Sequence, residues 1–176
     1  MKKWKILSSK EIFNHPRLVL VEDEVLLPNG HKTKYLKYKN DVNAATIICE
    51  RSDGKILMEK EYSHPPKRWL YQFPGGGVSK RKNIEEEANR ELMEETKYKA
   101  ENLKLLGSYL KDNRRSTEKM YVFLATGLRK EAKEGDVEED IKIFWFSEKQ
   151  IDKMIRKGEI INSHALASWS LYKLQA

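Results

Sequence analysis

Apolar and polar residues alternate over several short segments of this chain, a pattern typical of β-strands. The clearest such segment covers residues 18–27 and is followed by Pro28-Asn29-Gly30, whose sequence favours a hairpin turn. Residues 31–39 then have the pattern of the returning strand. Five further strands are predicted from short apolar or alternating runs, at residues 44–49, 55–59, 103–110, 120–126 and 141–146.

Three helices are predicted between and after these strands. The first covers residues 84–97 and follows Asn83, a residue type that caps helix N-termini. The second and third cover residues 148–157 and 163–174. Because strands precede, separate and follow the first helix, the pattern predicts a mixed α/β (α+β) fold.

The chain of 176 residues is long enough to bury a core without disulfides or metals. Residues 1–40 are predicted to form an N-terminal β extension, since a hairpin buries little surface by itself. Residues 41–176 hold the remaining strands and all three helices, and they are predicted to form the main domain.

Composition narrows the classes of partner. Lys and Arg number 34 against 27 Asp and Glu, giving a formal charge of +7 that suits an anionic partner, either nucleic acid or a phosphorylated small molecule. No apolar run reaches the ~20 residues that a membrane span needs, so a membrane partner is not expected. The single Cys49 excludes an internal disulfide and a multi-cysteine zinc site. Because the first residues lack the pattern of a signal peptide, we expect a cytoplasmic protein.

The first helix carries an unusual density of acidic residues. Glu87, Glu91 and Glu95 recur every four residues and form one row, with Glu94 beside it. Like charges at this spacing repel by about 0.2–0.5 kcal/mol per pair unless a cation neutralises them, and Mg²⁺ prefers such oxygen ligands together with substrate phosphates. A solvated acidic face is the alternative interpretation. The glycine run before the helix and the neighbouring apolar stripe favour a site.

These residues resemble a known family. Gly76 followed by Arg90-Glu91-Leu92-Met93-Glu94-Glu95 is similar to the Nudix box, G-x5-E-x7-R-E-U-x-E-E-x-G-U, in which U is apolar. The spacing fits without a gap. Lys82 stands where the box has its first Glu, and Lys97 stands where it has its last Gly.

The likeness to ADP-ribose pyrophosphatase-like Nudix enzymes extends over most of the chain. It is carried by segments that occur in the same order: Leu27–Gly30, Tyr62–Pro65, Gln72–Gly76, Thr117–Met120 with Phe123–Ala125, and Gly158–Ile160. The resemblance implies an α/β/α sandwich with a mixed sheet. It also implies that residues 1–40 exchange as an arm across a homodimer and that residues 41–176 form the hydrolase domain.

The resemblance implies hydrolysis of the pyrophosphate bond in a nucleoside diphosphate linked to another group, either ADP-ribose or a nucleotide sugar. The products would be a nucleoside monophosphate and a sugar phosphate, and the cofactor would be Mg²⁺, with Mn²⁺ as an alternative. Metal ligation is implied for Glu91, Glu95, Glu94 and the Gly75 carbonyl, and a role in fixing the glutamate geometry is implied for Arg90. The base that activates water is expected at Glu139 or, as the second choice, Glu138.

The sequence indicates the substrate-binding residues less specifically than the metal ligands. The cationic candidates would hold phosphate groups and the tryptophan would stack a base, whereas the alternative for each is an ordinary surface charge or core side chain. Lys82 removes one carboxylate, which keeps open a catalytically weak or inactive Nudix-fold module that binds a nucleotide or RNA. The lysines are spread along the chain, which disfavours nucleic acid as the partner. The six substrate-binding candidates are Lys60, Arg68, Trp69, Arg114, Arg115 and Glu118.

Overall fold

The computed structural model describes residues 2–39, 42–79, 82–131 and 141–175. They form two compact units, Met1–Asp41 with Leu110–Glu118, and Val42–Tyr109 with Lys119–Ala176. In chain order the elements are β1 (Lys5–His15), β2 (Leu18–Leu26), β3 (Lys32–Tyr38), β4 (Val42–Cys49), β5 (Lys55–Ser63), β6 (Arg68–Gln72), β7 (Gly77–Ser79), α1 (Ile84–Thr96), β8 (Tyr98–Leu110), β9 (Lys119–Lys130), β10 (Lys142–Ser147), α2 (Glu148–Arg156) and α3 (Ser163–Lys173).

The first unit is an antiparallel sheet in the order β1-β2-β3. Its central strand β2 buries Val21, Asp23 and Val25, whereas every residue of the edge strand β1 is exposed. The segment Leu110–Glu118 joins this unit through the Arg115 carbonyl, which accepts a 2.7 Å hydrogen bond from the Tyr38 amide. The unit is therefore assembled from two separate stretches of sequence.

The second unit contains two sheets and all three helices. One sheet has the order β10-β5-β6 and is antiparallel throughout, and the other has the order β7-β4-β9-β8. In the second sheet β4 pairs with β7 antiparallel and with β9 parallel, so the sheet is mixed. The helices have 13, 9 and 11 residues, and none in the described ranges is long and apolar enough to cross a membrane.

Alternating side chains of the strands fill two hydrophobic cores on opposite faces of the sheets. On β4, Ile47 packs in the core that contains the α1 residues Ala88 and Leu92. Its neighbour Ile48 packs in the other core, with residues of α2 and α3 such as Ile151 and Trp169. Helices therefore cover both faces, and the predicted α/β/α arrangement with a mixed sheet is confirmed.

Three strands were not predicted from the sequence. β1 lacks alternation, because its apolar residues occur in adjacent pairs such as Ile6-Leu7 and Ile12-Phe13. β6 and β7 are short and flank the glycine turn, whose residues suppress the strand pattern. The three predicted helices and the remaining predicted strands are present. Most of their ends agree within two residues, whereas β5 and β9 each extend four residues further and β8 begins five residues earlier.

Candidate active site

Helix α1 carries the acidic row (Glu87, Glu91, Glu94 and Glu95), and its rotation is fixed by packing and by one amide side chain. Ala88 and Leu92 are fully buried against the sheet. The Asn89 side chain forms two hydrogen bonds with the backbone of β8. Its Oδ1 accepts from the Ala100 amide at 3.0 Å, and its Nδ2 donates to the Ala100 carbonyl at 3.1 Å. With these contacts in place, the acidic row borders the buried face of the helix.

The N-terminus of α1 is capped as the sequence predicts. The Asn83 side-chain oxygen accepts hydrogen bonds from the amides of Glu85 at 2.9 Å and Glu86 at 3.4 Å. At the other end Lys97 adopts a left-handed conformation with φ of +62°, at the position where the Nudix box has glycine. The helix therefore ends at a residue in the left-handed backbone conformation that glycine favours, although this residue is a lysine.

The glycine turn between β6 and β7 lies against β4 and against the end of the acidic row. The carbonyls of Pro74 and Gly76 accept hydrogen bonds from the β4 amides of Ile47 at 2.8 Å and Ala45 at 3.0 Å. Neither bond uses the intervening Gly75 carbonyl, so that oxygen stays a candidate ligand. The Gly75 amide donates a 2.7 Å hydrogen bond to Glu95 Oε2, which ties the turn to the helix.

A side chain at either of two of these glycines would make a close approach. A Cβ atom on Gly76 would lie 2.5 Å from Glu91 Oε2, so the missing side chain makes room for that carboxylate. A Cβ on Gly75 would lie 2.9 Å from the Thr46 Cα, and the Gly75 φ of +152° is one that other residues rarely adopt. The turn therefore packs closely on β4 at Gly75 and leaves space for the Glu91 carboxylate at Gly76.

Arg90 is the central cation of the row. Its guanidinium forms short ion pairs with Glu91 and Glu94, and its Nη2 lies 3.4 Å from Glu87 Oε2. Burial raises the pKa of Glu91, and the charge and hydrogen bond of Arg90 only partly oppose this rise. Although burial lowers the pKa of Arg90, the surrounding glutamates outweigh it and raise the pKa above its ordinary value.

Lys82 forms a second ion pair within the row. Its Nζ lies 2.9 Å from Glu87 Oε1, and this hydrogen bond is the main reason that the pKa of Glu87 is lowered. The Lys82 side chain is 61% exposed and the Glu87 side chain 11%. The residue that departs from the Nudix box therefore has a defined partner in the acidic row.

The donor set of the acidic row fits a hard divalent cation. Its four carboxylates face two protein cations, Lys82 and Arg90, which leaves a formal charge of −2. All the candidate ligand atoms are oxygens, the ligands that Mg²⁺ prefers. Over the described ranges, no three His, Cys, Asp or Glu side chains are already arranged to hold a metal ion, and Glu91 and Glu94 are instead paired with Arg90.

The structure separates the substrate candidates of β5 and β6. Lys60 and Trp69 lie on the sheet face that carries Met58 and Tyr71, on the side of α2 and α3. The Lys60 ammonium lies 4.9 Å from the Tyr71 ring centroid, and the Trp69 side chain is 41% exposed. By alternation Arg68 lies on the opposite face. The structure therefore does not bring Lys60 and Trp69 to the face that α1 covers.

The remaining candidates belong to other parts of the chain. Arg114, Arg115 and Glu118 lie in the first unit, where Arg115 Nη1 donates to the Leu36 carbonyl at 3.2 Å. Glu118 is buried and forms a 3.1 Å ion pair with Lys111. The two candidate bases, Glu138 and Glu139, lie outside the described residues.

A buried carboxylate on the strand face that packs toward α1 was not identified from the sequence. Glu59 on β5 is fully buried and, by alternation, shares the face of Leu57, which packs in the same core as α1. Burial raises the pKa of the Cys49 thiol well above its usual value, and the charges of Glu59 and Glu95 raise it further. The signal was a glutamate directly after the apolar run Ile56–Met58, which is uncommon in a buried strand.

Comparison with known proteins shows the family of this chain. The NUDIX domain family matches residues 40–167, most of the chain, and the chain belongs to that family. The ADP-ribose pyrophosphatase of Bacillus subtilis (strain 168) is 28% identical over 161 residues, which cover 90% of this chain and 86% of that protein. These findings confirm the predicted resemblance and the predicted enzyme class, a Nudix pyrophosphohydrolase.

Other relatives show the breadth of the group. The ADP-ribose pyrophosphatase of Mycobacterium tuberculosis is 28% identical and covers 93% of this chain and 80% of its own length. The methanol dehydrogenase activator of Bacillus methanolicus is 29% identical and covers 77% of this chain and 73% of its own length. A crystal structure of an ADP compounds hydrolase matches with a TM-score of 0.92 over 99% of this chain and 95% of that chain. At 19% identity, this structural match supports the fold alone.

Proposed function

We propose that this protein hydrolyses the pyrophosphate bond of ADP-ribose or a nucleotide sugar in a reaction that depends on Mg²⁺, with Mn²⁺ as an alternative. The observation that carries the proposal is the contact between the glycine turn and the acidic row, where Gly76 leaves room for the Glu91 carboxylate. The names of the pyrophosphatase relatives support the substrate class. The products are a nucleoside monophosphate and a sugar phosphate.

The proposed ligands of the divalent cation are Glu91, Glu95 and the Gly75 carbonyl. Glu94 either binds the cation as well or orients the other ligands. When bound, the divalent ion neutralises phosphate charge and lowers the pKa of a water molecule. Arg90 holds Glu91 and Glu94 by ion pairs, which limits the rotamers of both carboxylates. The 2.7 Å hydrogen bond from the Gly75 amide orients Glu95 in the same way.

The proposed base is Glu139, with Glu138 as the alternative, and it would take a proton from the attacking water. Arg68 is the proposed phosphate contact on the α1 side of the β5–β6 sheet. Lys60 and Trp69 lie on the other face, so we assign them to the nucleoside end, away from the hydrolysed bond. The exposed indole of Trp69 offers a stacking surface for a base.

The test is phosphate release by alkaline phosphatase after incubation with Mg²⁺ and ADP-ribose, sugar nucleotides, dinucleotides or nucleoside triphosphates. The intact diphosphate esters resist the phosphatase, so a signal above the enzyme-free control reports cleavage of the pyrophosphate bond. Glu95→Gln should reduce turnover by at least about 100-fold, because it removes a ligand charge, with a small change in Tm. Glu101→Gln, an exposed glutamate on β8, is the matched control and should keep wild-type activity.

A silent panel with both Mg²⁺ and Mn²⁺ would contradict the proposed function and favour the nucleotide- or RNA-binding module. Full activity of Glu95→Gln would show that the ligand assignment is wrong even if the enzyme class stands. Comparing Glu139→Gln with Glu138→Gln identifies the base, since only loss of the base should abolish the acid limb of the pH–rate profile, where activity falls as the carboxylate is protonated.

We also propose that the protein is a cytoplasmic homodimer in which the first unit serves as the exchanged arm. The support is the exposure of apolar residues on β1, including Ile6, Ile12 and Phe13, at 56%, 47% and 49%. Apolar side chains this exposed on an edge strand favour an intermolecular contact. Light scattering coupled to size exclusion should give twice the chain mass of 20.7 kDa, and a monomer at micromolar concentration would contradict the proposal.

A further inference from the structure

Lys82 and Glu87 form a pair that the Nudix box does not contain. Lys82 Nζ lies 2.9 Å from Glu87 Oε1, and the other carboxylate oxygen of Glu87 lies 3.4 Å from Arg90 Nη2. Both oxygens of Glu87 therefore face cations of the protein. Glu87 is nevertheless the first member of the acidic row, one helical turn before Glu91.

The other members of the row are engaged differently. Glu91 and Glu94 share Arg90, and Glu95 accepts a hydrogen bond from the neutral Gly75 amide. A carboxylate at position 82, as in the Nudix box, would add a negative charge beside Glu87. The lysine instead adds a positive charge, so the local difference is two charge units at the N-terminal end of the row.

We propose that Lys82 serves as a built-in cation that keeps Glu87 out of the metal-binding set. Divalent ions are then held by the C-terminal part of the row, Glu91, Glu94 and Glu95, and fewer ions bind than a carboxylate at position 82 would allow. Lys82 is a positioning residue, because it acts through Glu87. The inference rests on the proposed function, in which the row binds divalent ions.

The experiment measures Mn²⁺ binding to the metal-free full-length protein without nucleotide, by calorimetry or by the electron paramagnetic resonance signal of free Mn²⁺. The variants are Lys82→Gln, Lys82→Glu, Glu87→Gln and the double variant Lys82→Gln/Glu87→Gln. Lys104→Glu makes the same charge change as Lys82→Glu at an exposed lysine on β8 and serves as the matched control.

We expect Lys82→Glu to add one Mn²⁺ site or to tighten binding by about tenfold, and Lys82→Gln to have a smaller effect in the same direction. Glu87→Gln should weaken binding by less than about threefold in the wild type but by about tenfold in the Lys82→Gln background, a coupling that a double-mutant cycle detects. Lys104→Glu should match the wild type within about twofold, because screening weakens a distant surface charge.

Equal effects of Glu87→Gln in the two backgrounds would overturn the inference, as would unchanged Mn²⁺ affinity and stoichiometry in both Lys82 variants. In either case the proposed function stands if the wild type binds Mn²⁺ and Glu95→Gln does not. Absence of Mn²⁺ binding to the wild type at millimolar concentration overturns the proposed function and the inference together. The Tm of each metal-free Lys82 variant should stay within about 4 °C of the wild type, because the lysine is largely exposed.

Discussion

Gly75 and Gly76 lie in the turn before β7 and Gly77 is the first residue of β7, yet replacing each of the three by alanine should have a different result. At Gly75 the new Cβ would lie 2.9 Å from the Thr46 Cα and closer still to the Ala45 carbonyl oxygen, both of them backbone atoms. At Gly76 it would lie 2.5 Å from Glu91 Oε2, the end of a flexible side chain. At Gly77 it would meet no described atom within 4 Å.

The magnitudes follow from these contacts. Gly75→Ala combines an unfavourable φ with a backbone clash and should destabilise the protein by about 3–5 kcal/mol. At about 2–4 °C per kcal/mol for a chain of this size, Tm should fall by roughly 6–20 °C. Gly76→Ala should change stability by less than about 1 kcal/mol, because the Glu91 side chain can move aside. The Glu91 carboxylate must shift by about 1 Å, a displacement that can reduce activity about 100-fold.

Thermal unfolding and the phosphatase-coupled assay together test this contrast, with Gly77→Ala as the control that should match the wild type in both. The assay is run below the Tm of each variant, so that a lower hydrolysis rate is not caused by unfolding of the protein. A Gly75→Ala protein as stable as the wild type would refute the steric argument. A Gly76→Ala protein with wild-type activity would refute the assignment of Glu91 to the reactive centre.

Two further predictions concern stability. Lys97→Gly should raise the free energy of unfolding by about 0.5–1 kcal/mol, because glycine relieves the left-handed φ; Lys97→Ala keeps the Cβ strain and, in chemical denaturation, should be less stable than Lys97→Gly. Burial raises the pKa of Asp23, but hydrogen bonds from Lys37 and Ser9 outweigh it and lower the pKa below its ordinary value. The stability that Asp23 contributes is therefore present above its unfolded-state pKa of about 3.9 and is lost as pH falls through the folded-state value. Asp23→Asn should lower stability at pH 7 by about 1–3 kcal/mol and flatten the acid limb of a Tm–pH profile, and an unchanged profile would contradict this account.

The sequence allowed the main features of the site to be predicted because they depend on local spacing. The four-residue recurrence of Glu87, Glu91 and Glu95 needs only helical geometry, and the Asn83 cap marks where the helix begins. The same holds for the burial of Ala88 and Leu92 on the adjacent stripe. These features follow from the helix alone.

Features that depend on tertiary contacts could not be predicted in the same way. Whether Lys82 points to solvent or to Glu87 depends on the turn before α1, and the sheet face of Lys60 depends on the register of β5 with β6. β1 forms a strand because it pairs with β2 along a register with two irregularities, and its own sequence carries no alternation. The burial of Glu59 likewise appears only when the strands and α1 pack together.

The discontinuity of the first unit bears on how the protein can be divided. The backbone leaves the second unit at Leu110 and returns at Lys119, so the two units are joined by three covalent crossings instead of one. Deleting residues 1–41 would not release a self-contained hydrolase. It would leave the Arg114 and Arg115 carbonyls without the Tyr35 hydroxyl and Tyr38 amide that they bind. Gene fusions and truncations should therefore keep both stretches together, and limited proteolysis near residue 40 should yield fragments that remain associated.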